Sequence, residues 1–296
     1  KHDRYQNECI RAYVYLRYYF RDKQHSGIHW EVDYLGRPTN TRKQVYAQAF
    51  AIYALSEYFK FSKKKEALNW AMELFGLIET KALDLQFGGY TEAFNRNWDD
   101  IEDMRLSEKD LNAPKTMNTH LHILEAYTTL YEIYPNLQLR LALENLIQLF
   151  LDKFANNNHF SLFFTQDWKL LSSEASYGHD IEAVWLLVHA ARRLQDNILI
   201  QKTEALAVAV VDIFIEEALD DDHGVFNAID LKSGKVDTDK HWWPQAEAMV
   251  GLLYVGEITR DDRYISTAKK IWEFIEDKIV DHNNGEWFFR VSSEGI

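Results

Sequence analysis

The chain has 296 residues, 47% of them apolar and 27% charged, which suits a folded water-soluble protein with one large core or two small ones. Its net charge of −13 argues against nucleic-acid and anionic-membrane partners, both of which need a basic footprint. The single cysteine, Cys9, excludes a disulfide framework and points to a reducing, cytoplasmic setting, while no apolar run has membrane-spanning length and no secretory leader is visible.

In chain order the sequence alternates between helical and extended patterns. An amphipathic stretch at 4–22 leads to HSGIHWEVDYLGR (25–37), which has strand-like alternation and turn residues, and then to a helix over 43–60. The same order recurs as 63–81, FGGYTEAFNRNWDD (87–100) and 115–133, and again as 137–155, NHFSLFFTQDWK (158–169) and 178–194. A fourth round reads 197–218, HGVFNAIDLKSGK (223–235) and 243–259, and a fifth begins with 262–280 and NGEWFFRVSSEG (284–295). The extended segments begin about 60–70 residues apart, the kind of period that marks a repeat architecture.

The second helix of each round is apolar on several faces yet carries polar residues (AQAFAIYALSEYF, MNTHLHILEAYTTLY, GHDIEAVWLLVHAA, WPQAEAMVGLLYV). Such helices are buried, and their polar groups need partners. The expected fold is therefore all-α, an (α/α)6 barrel forming a single domain over 1–296. The first helix of each round lies outside, the second inside, and the β-hairpins gather at one end. Five outer and four inner helices account for about five of six repeats, so the barrel is expected to be incomplete at both termini.

Three segments carry candidate chemistry. In KTMNTHLHILEAY (115–127), His120 and His122 are two apart and point about 200° from each other, which disfavours a shared metal ion. Asn118 and His122 share a face instead, although a histidine on an apolar helix is more often a satisfied core residue. In SYGHDIEAVWLL (176–187), Gly178 breaks the chain before a helix whose first turn holds His179, with Glu182 three residues on. A carboxylate beside an imidazole orients it and raises its basicity, as a general base needs. Asp180 reads as an acidic cap. In TDKHWWPQAEAMVG (238–251), Pro244 suits a helix start, placing Trp242 and Trp243 at its mouth, as packing bulk or as a platform for a sugar ring. Gln245 and Glu247 follow on the inner wall. The helix starts together describe a polar pocket with aromatic walls, presenting Tyr46, Asn118, His122, His179, Glu182 and Trp243.

These segments resemble the N-acylglucosamine 2-epimerase superfamily, in its cellobiose 2-epimerase branch. The matching stretches are RKQVYAQAFAIYALSEY (42–58), GGYTEAFNRNW (88–98), KTMNTHLHILEAYT (115–128), YGHDIEAVWLL (177–187), DTDKHWWPQAEAMVG (237–251) and GEWFFRV (285–291). The resemblance implies an (α/α)6 barrel and reversible inversion at C2 of a reducing-end aldose. The route is ring opening, proton abstraction and a cis-enediolate, with no cofactor and no metal. It further implies that His179 is one of two acid/base histidines, that His122 assists ring opening or holds the O1/O5 region, and that Glu182 tunes His179. Asn118 and Asp110 then match contacts around the sugar, Trp243 a stacking wall and Tyr46 a pocket tyrosine. The family's second catalytic histidine, in a Trp-Lys-x-Pro-Tyr-His-Asn motif, follows GEWF and is not found here, nor is the arginine of its first inner helix. Asn227 is followed by Ala228 where the family often has Glu. Monosaccharide epimerisation and a non-catalytic carbohydrate-binding toroid are the alternatives. Glycoside hydrolysis, which needs paired carboxylates, fits the helix starts less well.

Overall fold

The computed structural model describes residues 2–293. Among them run α1 (His2–Tyr15), α2 (Val45–Ser62), α3 (Lys65–Leu77), α4 (Met117–Ile133), α5 (Leu137–Leu149), α6 (Tyr177–Leu194), α7 (Asn197–Glu217), α8 (Trp242–Thr259) and α9 (Asp262–Phe274). The chain forms two compact units, 1–146 with 163–171 and 147–162 with 172–296.

In the first unit α2 packs against α4 and α3 against α2, around Ile52, Leu55, Trp70, Leu74, Leu121 and Leu124. Burying this apolar surface is the main favourable term. A half-buried acid is held here: the hydroxyls of Tyr90 and Tyr127 each donate to Glu79 Oε1 at 2.8 Å. In the second unit α6 packs on α7 and α8, and α8 on α9, around Ile181, Val184, Leu187, Val211, Phe214, Leu252 and Ile271. Thr116 caps α4 and Ser176 caps α6 by accepting the N–H groups of Thr119 and His179.

Odd-numbered helices were expected to run about five residues further than α1, α3, α5 and α9 do. Those residues are helical but wider, with i→i+5 hydrogen bonding over Leu16–Phe20, Ile78–Ala82, Phe150–Phe154 and Ile275–Ile279. Beyond each wide turn the chain reverses in a tight extended loop. The expected hairpins are only partly local. Ala155–Asn156 pairs with His159–Phe160, and Ala228–Asp230 with Lys235–Asp237. Other strands pair with the short strand that enters an even-numbered helix: Ala93–Phe94 with Lys43–Gln44, Phe163–Phe164 with Lys115–Thr116, and Arg290–Val291 with Lys240–His241. The last expected hairpin ends at residue 295, and its final two residues lie outside those described.

A repeated clamp ties each reversing loop to its helix. The fourth residue of α2, Gln48, accepts the Ile28 N–H at 2.8 Å and donates to the Ile28 carbonyl at 3.0 Å. At the same place on α8, Gln245 accepts the Val225 N–H at 2.7 Å and donates to its carbonyl at 2.9 Å. On α4 the residue is His120, whose Nε2 accepts the Tyr90 N–H at 2.9 Å while Nδ1 donates to the Thr116 carbonyl at 2.6 Å. That pattern fixes one neutral tautomer, and burial pushes the imidazole down to about 4. Gly89 is required beside it, since a Cβ there would lie 2.8 Å from His120 Nε2 and its φ is +76°. A wholly buried lysine accompanies three of the clamps. Lys43 pairs with Asp22 at 3.0 Å, Lys115 with Asp84 at 2.7 Å, and Lys240 with Asp220 and Asp222 at 2.7 Å each.

Candidate active site

The clamps use one face of each even-numbered helix, and residues one or two positions either side of the clamp residue open a different face. On α4 the His122 ring lies 5.1 Å from Tyr46 and 4.6 Å from Phe50, both from α2. His122 Nδ1 is 3.0 Å from Glu125 Oε2, and because a carboxylate only accepts, Nδ1 carries the proton. Asn118 stands one turn before His122 and is half-buried, with an Oδ1 that is buried and makes no hydrogen bond. Such an acceptor is costly to leave unfilled unless something else fills it. Asp110 stands in the loop before α4, where it accepts the Ser107 N–H at 2.8 Å.

Beneath the start of α4 lies an acid that the sequence reading passed over. Glu92 is buried, and its two oxygens accept the hydroxyls of Thr119 at 2.6 Å and Thr116 at 2.7 Å. Burial outweighs those bonds and pushes the carboxyl up to about 7.

In the second unit the start of α6 faces the start of α8. The His179 and Trp243 rings lie 4.9 Å apart. This contact explains Gly178: a Cβ there would meet the Trp243 ring at 2.4 Å. The two tryptophans therefore divide the roles left open above. Trp242 is 41% exposed and packs edge-on against Trp287, whereas Trp243 belongs to the histidine. Glu182 is buried one turn along α6. Further along, Trp185 Nε1 donates to Glu247 Oε2 at 2.9 Å, and His189 Nδ1 lies 3.1 Å from the Tyr254 hydroxyl. Trp185 and Glu125 were missed as site residues, and Glu247 was placed on the wall without a partner. Their spacing was the available signal, since each stands three or four residues beyond a chosen one on the same helix face.

Asp180 stands in the first turn of α6, as expected of an acid that favours a helix start, but its side chain is buried, with Oδ1 accepting the Phe160 N–H and Oδ2 accepting from His159 Nδ1, each at 2.8 Å. It is the clamp residue of α6.

Residues 6–295 match the family model of N-acylglucosamine 2-epimerase. A cellobiose 2-epimerase from Bacteroides fragilis is 42% identical over 295 residues, covering 99% of this chain and 75% of that one. The chain belongs to the N-acylglucosamine 2-epimerase family. Its fold is correspondingly all-α, an (α/α) barrel. The solved cellobiose 2-epimerase of Bacillus thermoamylovorans superposes with a TM-score of 0.92 at 36% identity, covering 99% of this chain and 75% of that one. A D-mannose isomerase structure matches with a TM-score of 0.85 at 22% identity and shares the fold. Family membership makes the chain an isomerase, a sugar 2-epimerase. Among the described residues no helix is long and apolar enough to cross a membrane.

Proposed function

We propose that this epimerase inverts C2 at the reducing end of a β-1,4-linked disaccharide such as cellobiose, with His179 as an acid/base group. The observation that carries the assignment is the His179–Trp243 pair at the mouth of α6 and α8, a proton carrier beside an aromatic face. An imidazole exchanges protons near neutral pH, and an indole face stacks on the apolar face of a sugar ring. Relatives named cellobiose 2-epimerase are 36–42% identical, whereas those named D-mannose isomerase are 22–23% identical, which favours the disaccharide.

The reaction balances without an external reagent. The C1–O5 bond breaks as O5 gains a proton and the C1 hydroxyl loses one, giving the aldehyde that acidifies C2–H. His179 takes the C2 proton, the C–H electron pair becomes the C1=C2 bond, and the C1=O π pair moves onto O1, giving a cis-enediolate. Rotation about C2–C3 presents the opposite face to a second acid/base imidazole, which gives C2 a proton as the O1 pair re-forms the aldehyde, and the O5 hydroxyl then closes on C1. His122, its Nδ1 proton directed at Glu125, is assigned to proton transfer during ring opening. Asn118 and Asp110 bind sugar oxygens, Glu182 orients His179, and Tyr46 and Trp243 wall the sugar. No cofactor and no metal take part in this scheme, and the setting is cytoplasmic.

The test is NMR of cellobiose and, separately, mannose incubated with the protein in D2O. Deuterium appearing at C2 with epimer formation, faster for cellobiose, is expected. Faster exchange of mannose would move the substrate to the monosaccharide, and sugar binding without C2 exchange would overturn the catalytic reading.

A further inference from the structure

The four junctions between reversing loop and even-numbered helix differ at one place. At α2, α4 and α8 the clamp is a neutral Gln or His, backed by a buried Lys–Asp pair. At α6 both parts are replaced together. The position of Lys43, Lys115 and Lys240 is taken by Ala175, that of Asp22, Asp84 and Asp220 by Asn156, and the clamp is Asp180. A buried carboxylate in place of an amide needs a cation, and the junction supplies one that the others lack. His159, buried in the same loop, directs Nδ1 at Asp180 Oδ2 (2.8 Å) and Nε2 at Glu217 Oε2 (3.5 Å). Nδ1 is within hydrogen-bond distance of Asp180, whose carboxyl burial pushes up and the His159 ring pulls back down, and Nε2 is directed at Glu217, an arrangement that suits the imidazolium. Burial alone would lower the basicity of His159, but the carboxylates of Asp180 on α6 and Glu217 on α7 outweigh it and hold the imidazole above its ordinary range. The Tyr177 ring, also from α6, packs beside it at 6.2 Å.

Asp180 is the residue after His179 and two before Glu182, within the turn that Ser176 caps. This turn presents the reacting imidazole, and its backbone is pinned to the loop through Asp180. We propose that His159 is a positioning residue for the epimerisation, holding the first turn of α6 through Asp180 so that His179 and Glu182 keep their placement. The inference rests on the reading of His179 as the acid/base group.

The experiment compares C2 exchange kinetics of the wild-type protein with His159→Ala, His159→Ala/Asp180→Gln and His179→Ala in the full chain. Misplacing an acid/base group weakens turnover more than binding, so His159→Ala is expected to lower kcat by at least about tenfold and change KM little. The double variant installs the amide clamp of α2 and α8 and is expected to regain kcat to within about threefold of wild type. If His159→Ala does not fold, recovery of a folded, active double variant still supports the inference. A folded but inactive double variant, or a His159→Ala protein with wild-type kcat, would overturn it. Wild-type exchange in His179→Ala would instead overturn the reading of the site. Loss in His179→Ala with wild-type kcat in His159→Ala would remove the positioning role alone.

Discussion

His120 and His122 stand two residues apart on α4 in opposite surroundings. His120 is sealed between the Tyr90 amide and the Thr116 carbonyl as a fixed neutral ring, while His122 sits at the edge of buried space among Tyr46, Phe50 and Glu125. The other even-numbered helices repeat the contrast. Gln48, Asp180 and Gln245 lie on the clamped face; Tyr46, His179 with Glu182, and Trp243 with Glu247 lie on the open one. A polar residue on a buried helix is thus no sign of a site in itself. What separates frame from site is whether backbone groups already use its hydrogen-bonding capacity.

The contrast can be broken hardest at the lysines. Lys115 Nζ donates to Asp84, the Gly88 carbonyl and the Gln166 carbonyl at 2.6–2.7 Å. Lys115→Met leaves those acceptors unfilled and is expected to cost about 3–5 kcal/mol in a urea titration. A loss below about 1 kcal/mol would mean that the frame does not depend on these pairs. Next comes Glu92, whose carboxyl rises from 4.5 to about 7 on burial. A raised carboxyl stabilises the fold while protonated, so its contribution is complete below pH 4.5 and lost as pH climbs through 7. The loss is on the order of 3 kcal/mol. Glu92→Gln should flatten that part of the stability–pH curve, and an unchanged slope would refute the assignment.

Smaller effects sharpen the comparison. His120→Gln installs the residue of α2 and α8 at the α4 clamp and should cost under about 1 kcal/mol with activity retained, whereas His120→Leu should cost about 2 kcal/mol by orphaning the Tyr90 amide and the Thr116 carbonyl. Equal losses in the two would show that His120 does more than clamp. Trp185→Phe removes only the donor to Glu247 and is expected to leave the urea midpoint nearly unchanged while lowering kcat about tenfold.

Much of this was legible in the sequence. The repeat period and the burial of the even-numbered helices placed each start within two residues of where it stands, and the spacing of Asn118 with His122 and of His179 with Glu182 marked the open face. The clamp was less legible, because its partners are backbone groups of a loop 20 or 30 residues away. Asp180 looked like a cap because an acid in a first turn has two physical uses, and only burial distinguishes them. The wide turns left no mark either: their residues keep helical periodicity, and only the hydrogen-bond step changes.

The central claim is that the open face of α6 carries the proton chemistry, and C2 deuterium incorporation into cellobiose by His179→Ala tests it most directly. The account predicts a loss of about 100-fold or more, with the protein folded and the urea midpoint within about 1 kcal/mol of wild type. Exchange at the wild-type rate would contradict it and return His179 to the frame.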